Sequence, residues 1–122
     1  MRILIVEPRQ KPRRADIPHT LKDMQQTVGG NIEIIRSFDD PVVLVCDEEG
    51  KIKGYELNRT IEGVDVIAGT FFLAGIDEDD LTDLSDELAE KYEALFRSPQ
   101  EFVRTPRGML VLSDDGIQEI IL

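Results

Sequence analysis

Two runs, Val42-Val43-Leu44-Val45-Cys46 and Phe71-Phe72-Leu73-Ala74, are apolar at every position. Neither alternates with polar residues, so neither suits a strand with one wet face; each needs cover on both sides. Residues 42–75 therefore read as the centre of a sheet. The opening Ile3-Leu4-Ile5-Val6 has the same unbroken character and reads as a further strand buried on both faces. A chain of 122 residues can bury about two thirds of its unfolded surface in one core, which sets the expectation of a single domain.

The remaining elements follow from punctuation. Pro8 ends the first strand, and Arg9, Lys11, Arg13 and Arg14 around Pro12 read as a basic loop outside any ladder. A helix is expected over residues 20–28, with Thr20 as N-cap, Leu21, Met24 and Val28 on one stripe, and Gly29-Gly30 as its stop. Residues 31–36 and 41–46 form an antiparallel pair joined by Ser37-Phe38-Asp39-Asp40. Asp47-Glu48-Glu49-Gly50 is a turn, after which Lys51 and Ile52 resume extended structure, and Gly69-Thr70 marks a bulge or tight reversal between two strand segments. A second helix starts at Ser85, with Leu84, Leu88, Tyr92, Leu95 and Phe96 as its buried stripe. Beyond Ser98-Pro99 the pattern is irregular until Met109, where two β runs flank Asp114-Asp115-Gly116 and end on Ile120-Ile121-Leu122. Apolar residues in such a position must be covered by the sheet or by a partner. The fold expected is α+β: one domain, a mostly antiparallel sheet, two helices and a C-terminal β-hairpin, with residues 1–97 as the core and 98–122 as an extension packed on the same domain.

Charge narrows the function. The net charge is −11, and its distribution is uneven: residues 1–30 hold six basic and three acidic side chains, residues 77–101 two basic and ten acidic. Such a field repels nucleic acid, so direct nucleic-acid binding is not expected, and it favours basic partners. Asp77, Glu78, Asp79, Asp80, Asp83, Asp86, Glu87 and Glu90 are the candidate acidic surface. The lone Cys46 cannot form an intramolecular disulfide, and no stretch has the length of a signal peptide or a membrane span, which sets a cytoplasmic expectation. Cys46 reads as a small core residue, disfavoured as a thiolate by Asp47, Glu48 and Glu49. His19, the only histidine, sits beside Pro18 and a helix cap and reads as a loop residue.

Catalytic constellations are missing from the pattern. There is no EF-hand spacing, Walker lysine, Ser-His-Asp set or CxxC, so no metal, cofactor or catalytic residue is assigned. Glu7, Asp47, Glu48, Glu49, Asn58 and Arg59 form a carboxylate-rich group able in principle to do acid and base work or hold a cation. The binding alternative places Glu48, Glu49, Asn58, Arg59, Gly69 and Thr70 at an interaction site, where an exposed Asn and Arg beside an acidic turn recognise a peptide or small anion. A structural alternative has Asn58 capping a turn and Arg59 bridging to Glu48 or Glu49.

Val28-Gly29-Gly30-Asn31-Ile32-Glu33, Cys46-Asp47-Glu48-Glu49-Gly50-Lys51, Gly54, Leu57-Asn58-Arg59 and Ile67-Ala68-Gly69-Thr70-Phe71-Phe72, in that order and spacing, resemble an uncharacterised bacterial and phage family, domain of unknown function 3846. The resemblance runs over residues 1–97. It implies a compact α+β module in a phage or conjugative element and carries no established activity with it. The turn opens with Asp47 where the family pattern has Asn, and the hairpin after Met109 lies outside the pattern. The reading is a small acidic, non-enzymatic protein-interaction module of a mobile element with a protein partner. The alternatives are an acidic mimic of nucleic acid that inhibits a host defence or DNA-processing protein, and a small-ligand binder or enzyme.

Overall fold

The computed structural model describes residues 1–62 and 65–121. The apolar runs sit where their lack of alternation requires. The main sheet runs β2 (Arg13–Asp16), β1 (Arg2–Val6), β7 (Phe71–Asp77), β4 (Val42–Asp47), β3 (Ile32–Ile35), and β8 (Asp80–Thr82) pairs with the far end of β7. All of its pairings are antiparallel. β7 lies in the middle of this order, which is why it tolerates no polar side chain before Asp77.

Because successive side chains leave a strand on opposite faces, each buried strand feeds two cores. Leu4, Val6, Val42, Leu44, Phe71 and Leu73 point to one face, where α2 (Asp86–Leu95) covers them with Ala89, Tyr92 and the following Phe96. Ile3, Ile5, Val43, Val45, Phe72 and Ala74 point to the other, where α1 (Leu21–Val28) contributes Met24 and Val28. The result is a sheet sandwiched between one helix per face. Both helices begin as expected: Thr20 Oγ1 accepts from Asp23 N at 3.1 Å and Ser85 Oγ from Leu88 N at 3.2 Å. Gly29, at φ 96°, closes α1 in the left-handed conformation.

A two-stranded ribbon, β5 (Leu57–Ile61) with β6 (Asp65–Ala68), adds Ile61 and Ile67 to the α2 side. A three-stranded sheet follows α2, in the order β11 (Gly116–Ile121), β10 (Gly108–Ser113), β9 (Glu101–Thr105). It meets the rest of the protein through the ribbon, where Thr60 N donates to Gln100 Oε1 at 2.7 Å.

Several sequence expectations need correction. Arg13 and Arg14 lie in a strand, not a loop, because only Pro12 lacks the N–H and β2 starts after it. Residues 51–54 continue the turn, held by Lys53 N to Glu49 O and Gly54 N to Lys51 O, and do not extend. Leu57-Asn58-Arg59 belongs to the ribbon and not to the central sheet, since the chain changes sheet at Gly69-Thr70. The acids 77–80 lie in a hairpin, with Asp77 paired to Asp80. β9 lies where no regular element was expected. Leu21 and Leu95 are exposed: α1 has only two turns and packs through Met24 and Val28, while Leu95 faces a surface groove described below. At the last β run, Ile120 is buried and Ile121 exposed, and Leu122 falls outside the described residues.

Cys46 is buried, and burial followed by the nearby Glu33 and Asp47 charges pushes its thiol up to about 12. A polar thiol reagent is expected to leave the native protein unlabelled at neutral pH and to label one site once denaturant is added. Rapid labelling of the native protein would show that β4 is open on one face.

Candidate functional site

The residues singled out in the sequence fall into two groups, on opposite sides of a physical divide. Glu48 and Glu49 are exposed on the turn after β4, whereas Asn58 and Arg59 are 0% and 1% exposed. Two consecutive residues of a strand ordinarily face opposite ways. Here the β5–β6 register shifts between Leu57 and Arg59, so Asn58 is a bulge residue and both side chains turn inward.

Their hydrogen bonds are all internal. Asn58 Nδ2 donates to Val6 O and to Gly69 O, each at 2.9 Å, and Asn58 Oδ1 accepts from Arg59 Nη1 at 2.9 Å. Arg59 Nε and Nη2 both reach Phe96 O, at 3.2 and 3.0 Å, and Nη2 also reaches Gln10 O at 2.6 Å. Nη1 donates again to Asn58 O at 3.3 Å. The guanidinium has no carboxylate partner among the described residues, and burial lowers it to about 10, leaving it charged at neutral pH. The expected exposed recognition pair is thus overturned: carbonyls of β1, the β1–β2 loop, the β6–β7 turn and the end of α2 occupy the donors. Nor does Arg59 bridge to Glu48 or Glu49.

The acidic turn is built the same way. Asp47 is buried; its Oδ1 accepts from Glu49 N at 2.9 Å and its Oδ2 from Lys53 Nζ at 2.7 Å. Burial pushes its carboxyl up, but the Lys53 and Glu49 hydrogen bonds outweigh it and hold the group below the usual range. Lys53 Nζ and Tyr55 Oη also donate to Gly29 O at the end of α1, at 3.3 and 3.2 Å. Tyr55 packs so closely on Gly69 (φ 82°) that a Cβ there would lie 2.6 Å from its ring. Gly69 is buried and Thr70 half-buried.

The carboxylate-rich group does not converge. Glu7 pairs with Arg13 at 3.0 Å, Asp47 with Lys53, and no cluster of three metal-ligating side chains occurs among the described residues. The four arginines of the first segment are spent on acids: Arg13 on Glu7 as above, Arg9 on Glu56, Arg14 on Glu93 and Asp86, Arg2 on Asp83. All eight residues of the acidic surface are exposed, and of these Asp79, Asp83 and Asp86 face Arg36, Arg2 and Arg14. His19 is exposed.

A groove escaped the sequence reading. Phe38, Asp40, Tyr92 and Leu95 meet there with Gln100 and Asp115 around a cavity of about 420 Å³. Asp40 Oδ2 accepts from Lys91 Nζ at 2.6 Å and Tyr92 Oη at 2.8 Å, which holds its carboxyl below the usual range. Fifty-one residues separate Asp40 from Lys91, so no local pattern signals the contact.

Fold and site define a small three-layered α+β protein whose buried polar side chains serve its own backbone. Residues 1–97 match the family described as Domain of unknown function (DUF3846), and the chain belongs to that family. The match ends one residue after the Phe96 cap of α2, so β9, β10 and β11 lie beyond it. Comparison with curated proteins and with solved structures found no match. No helix among the described residues is long and apolar enough to cross a membrane.

Arg59→Ala is expected to destabilise the protein by roughly 3 kcal/mol or more, because it strands the carbonyls of Gln10 and Phe96 and the Asn58 amide oxygen. Arg59→Lys should recover only part, since one ammonium cannot serve acceptors placed for a planar fork. Denaturant unfolding reads both, and unchanged midpoints would refute the role. Because the Asp47 carboxyl is depressed in the folded protein, its contribution is full above the ordinary carboxylate value and is lost as pH falls through the lowered one. Asp47→Asn should therefore flatten the acid limb of the stability profile; an unaltered limb would contradict it.

Proposed function

We propose that the protein is a small, non-catalytic protein-interaction module that binds through the open face and edge of its C-terminal sheet. The observation that carries this reading is an apolar sheet face left uncovered. In the β9–β10–β11 register, Met109, Val111 and Ile120 share the buried face. The opposite face carries Val103, Leu110, Leu112, Ile117 and Ile121, with Ile117 72% and Ile121 70% exposed. β11 is also an edge strand, with no neighbour on its outer side among the described residues.

An open edge bearing β-branched apolar residues is an aggregation hazard that monomers ordinarily blunt. Here one charged pair, Glu119 with Arg107 at 3.4 Å, interrupts it. The partner that fits is an extended segment of another protein added alongside β11, whose main chain takes the free ladder groups and whose alternate apolar side chains meet Ile117 and Ile121. Mimicry of nucleic acid draws less support, because arginines of the same chain already engage Asp79, Asp83 and Asp86. The setting in a phage or conjugative element remains part of the proposal and rests on the family resemblance.

Ile117→Lys with Ile121→Lys tests the surface. Both positions are exposed, so stability should stay within about 0.5 kcal/mol per site, while a partner captured by the wild-type protein is lost. Hydrogen exchange on the captured complex should protect the amides of β11. Undiminished capture by the double variant, or protection confined to other strands, would overturn the assignment.

A further inference from the structure

The groove at the end of α2 is a second surface, and its lining shares no residue with the open face of the C-terminal sheet. It is walled by four separated parts of the chain: the β3–β4 connection, the end of β5, the end of α2 with the residues after it, and the β10–β11 turn. Its floor is apolar and ordered. The Phe38 and Tyr92 rings meet edge to face at 5.0 Å, Ile61 and Phe96 are buried beneath, and Leu95 stands 62% exposed along it. A Leu in that position at the last turn of a helix gains nothing from the protein's own core.

Its rim is negative. Asp39, Glu62 and Asp115 are exposed there and form no ion pair among the described residues. The two cations in the lining are already committed, Lys91 to Asp40 and Arg59 to backbone carbonyls. Three uncommitted carboxylates from three different segments therefore surround an apolar floor of about 420 Å³, room for one or two large side chains and not for a folded element.

We propose that this groove docks a linear segment of a partner protein in which large apolar residues alternate with arginine or lysine. The apolar side chains cover Leu95, Ile61 and the Phe38–Tyr92 pair, and the cations answer Asp39, Glu62 and Asp115. Charge complementarity selects this occupant: an acidic or neutral apolar segment would leave the three carboxylates to be desolvated without a partner. The Asp40–Lys91–Tyr92 cluster fixes the floor by joining the β3–β4 connection to α2. This docking is independent of the contact at β11.

The test uses the full chain and three synthetic peptides, Arg-Phe-Arg-Leu-Arg, Arg-Ser-Arg-Ser-Arg and Glu-Phe-Glu-Leu-Glu, with spermidine as a non-peptide cation, read by NMR shift changes of the backbone amides. The first peptide is expected to bind at up to about 1 mM, shifting amides around Phe38, Ile61, Leu95 and Asp115 in a saturable way. Leu95→Lys should weaken it by at least about tenfold, and neutralising Asp39, Glu62 and Asp115 should do the same and remove its salt dependence. Ile117→Lys with Ile121→Lys should leave it unchanged, which separates this site from the β11 surface. The proposal is overturned if no peptide binds, if Arg-Ser-Arg-Ser-Arg or spermidine binds as well as the apolar peptide, if Glu-Phe-Glu-Leu-Glu matches it, or if the shifts fall on residues 77–90.

Discussion

A charged guanidinium with no counter-anion among the described residues, sealed between a sheet and the end of a helix, is the constraint on which the rest of this structure depends. Moving such a group out of water is costly unless every donor finds an acceptor. Arg59 meets that condition with backbone carbonyls alone. Phe96 O, its main acceptor, is at the C-terminal cap of α2, where the helix dipole is negative and the last turn has no basic residue of its own. The same arrangement recurs on the other face of the sheet. α1 also lacks a basic residue in its last turn, and Lys53 reaches across to Gly29 O. One continuous stretch, from the acidic turn through the bulge in β5, thus supplies the cation for both helix ends.

That arrangement explains why the most distinctive sequence motifs turn inward. Asn58, Arg59, Asp47 and Gly69 are spent on holding layers together: β1 to the β6–β7 turn through Asn58, and α2 to the β1–β2 loop through Arg59. The surfaces proposed for recognition lie elsewhere. The uncovered sheet face belongs to β9, β10 and β11, beyond the family-matched region, and the acid-rimmed groove straddles the boundary between the two. A shared core would then carry a recognition surface that need not be shared, consistent with function residing in sites grafted on a fold.

Much of the core was legible because it obeys local rules. Runs without alternation demanded two covered faces, and Thr20, Ser85 and Gly29 marked helix ends through capping chemistry that operates within four residues. Asn58 and Arg59 misled for a definite reason: in isolation, Asn beside Arg in a polar context looks exposed, and only the bulge in β5 turns both inward. Their acceptors, Val6, Gln10 and Phe96, lie 37 to 52 residues away, so no spacing rule reports them. Pro12 marks a break in the sequence, yet β2 starts directly after it. β9 was hidden by the arginine, proline and threonine around it, since its pairing with β10 and not its own composition makes it a strand.

The account rests on Asn58 and Arg59 acting as one structural unit, and a double-mutant cycle on unfolding free energy tests that most directly. Asn58→Ala, Arg59→Ala and the double variant should show an interaction energy of about 1 kcal/mol or more, within the range for residues that share a hydrogen-bonded network, and each single variant should already lose most of the stability that the double variant loses. Strictly additive effects, or single variants as stable as the wild-type protein, would contradict the claim that this buried pair holds the layers together.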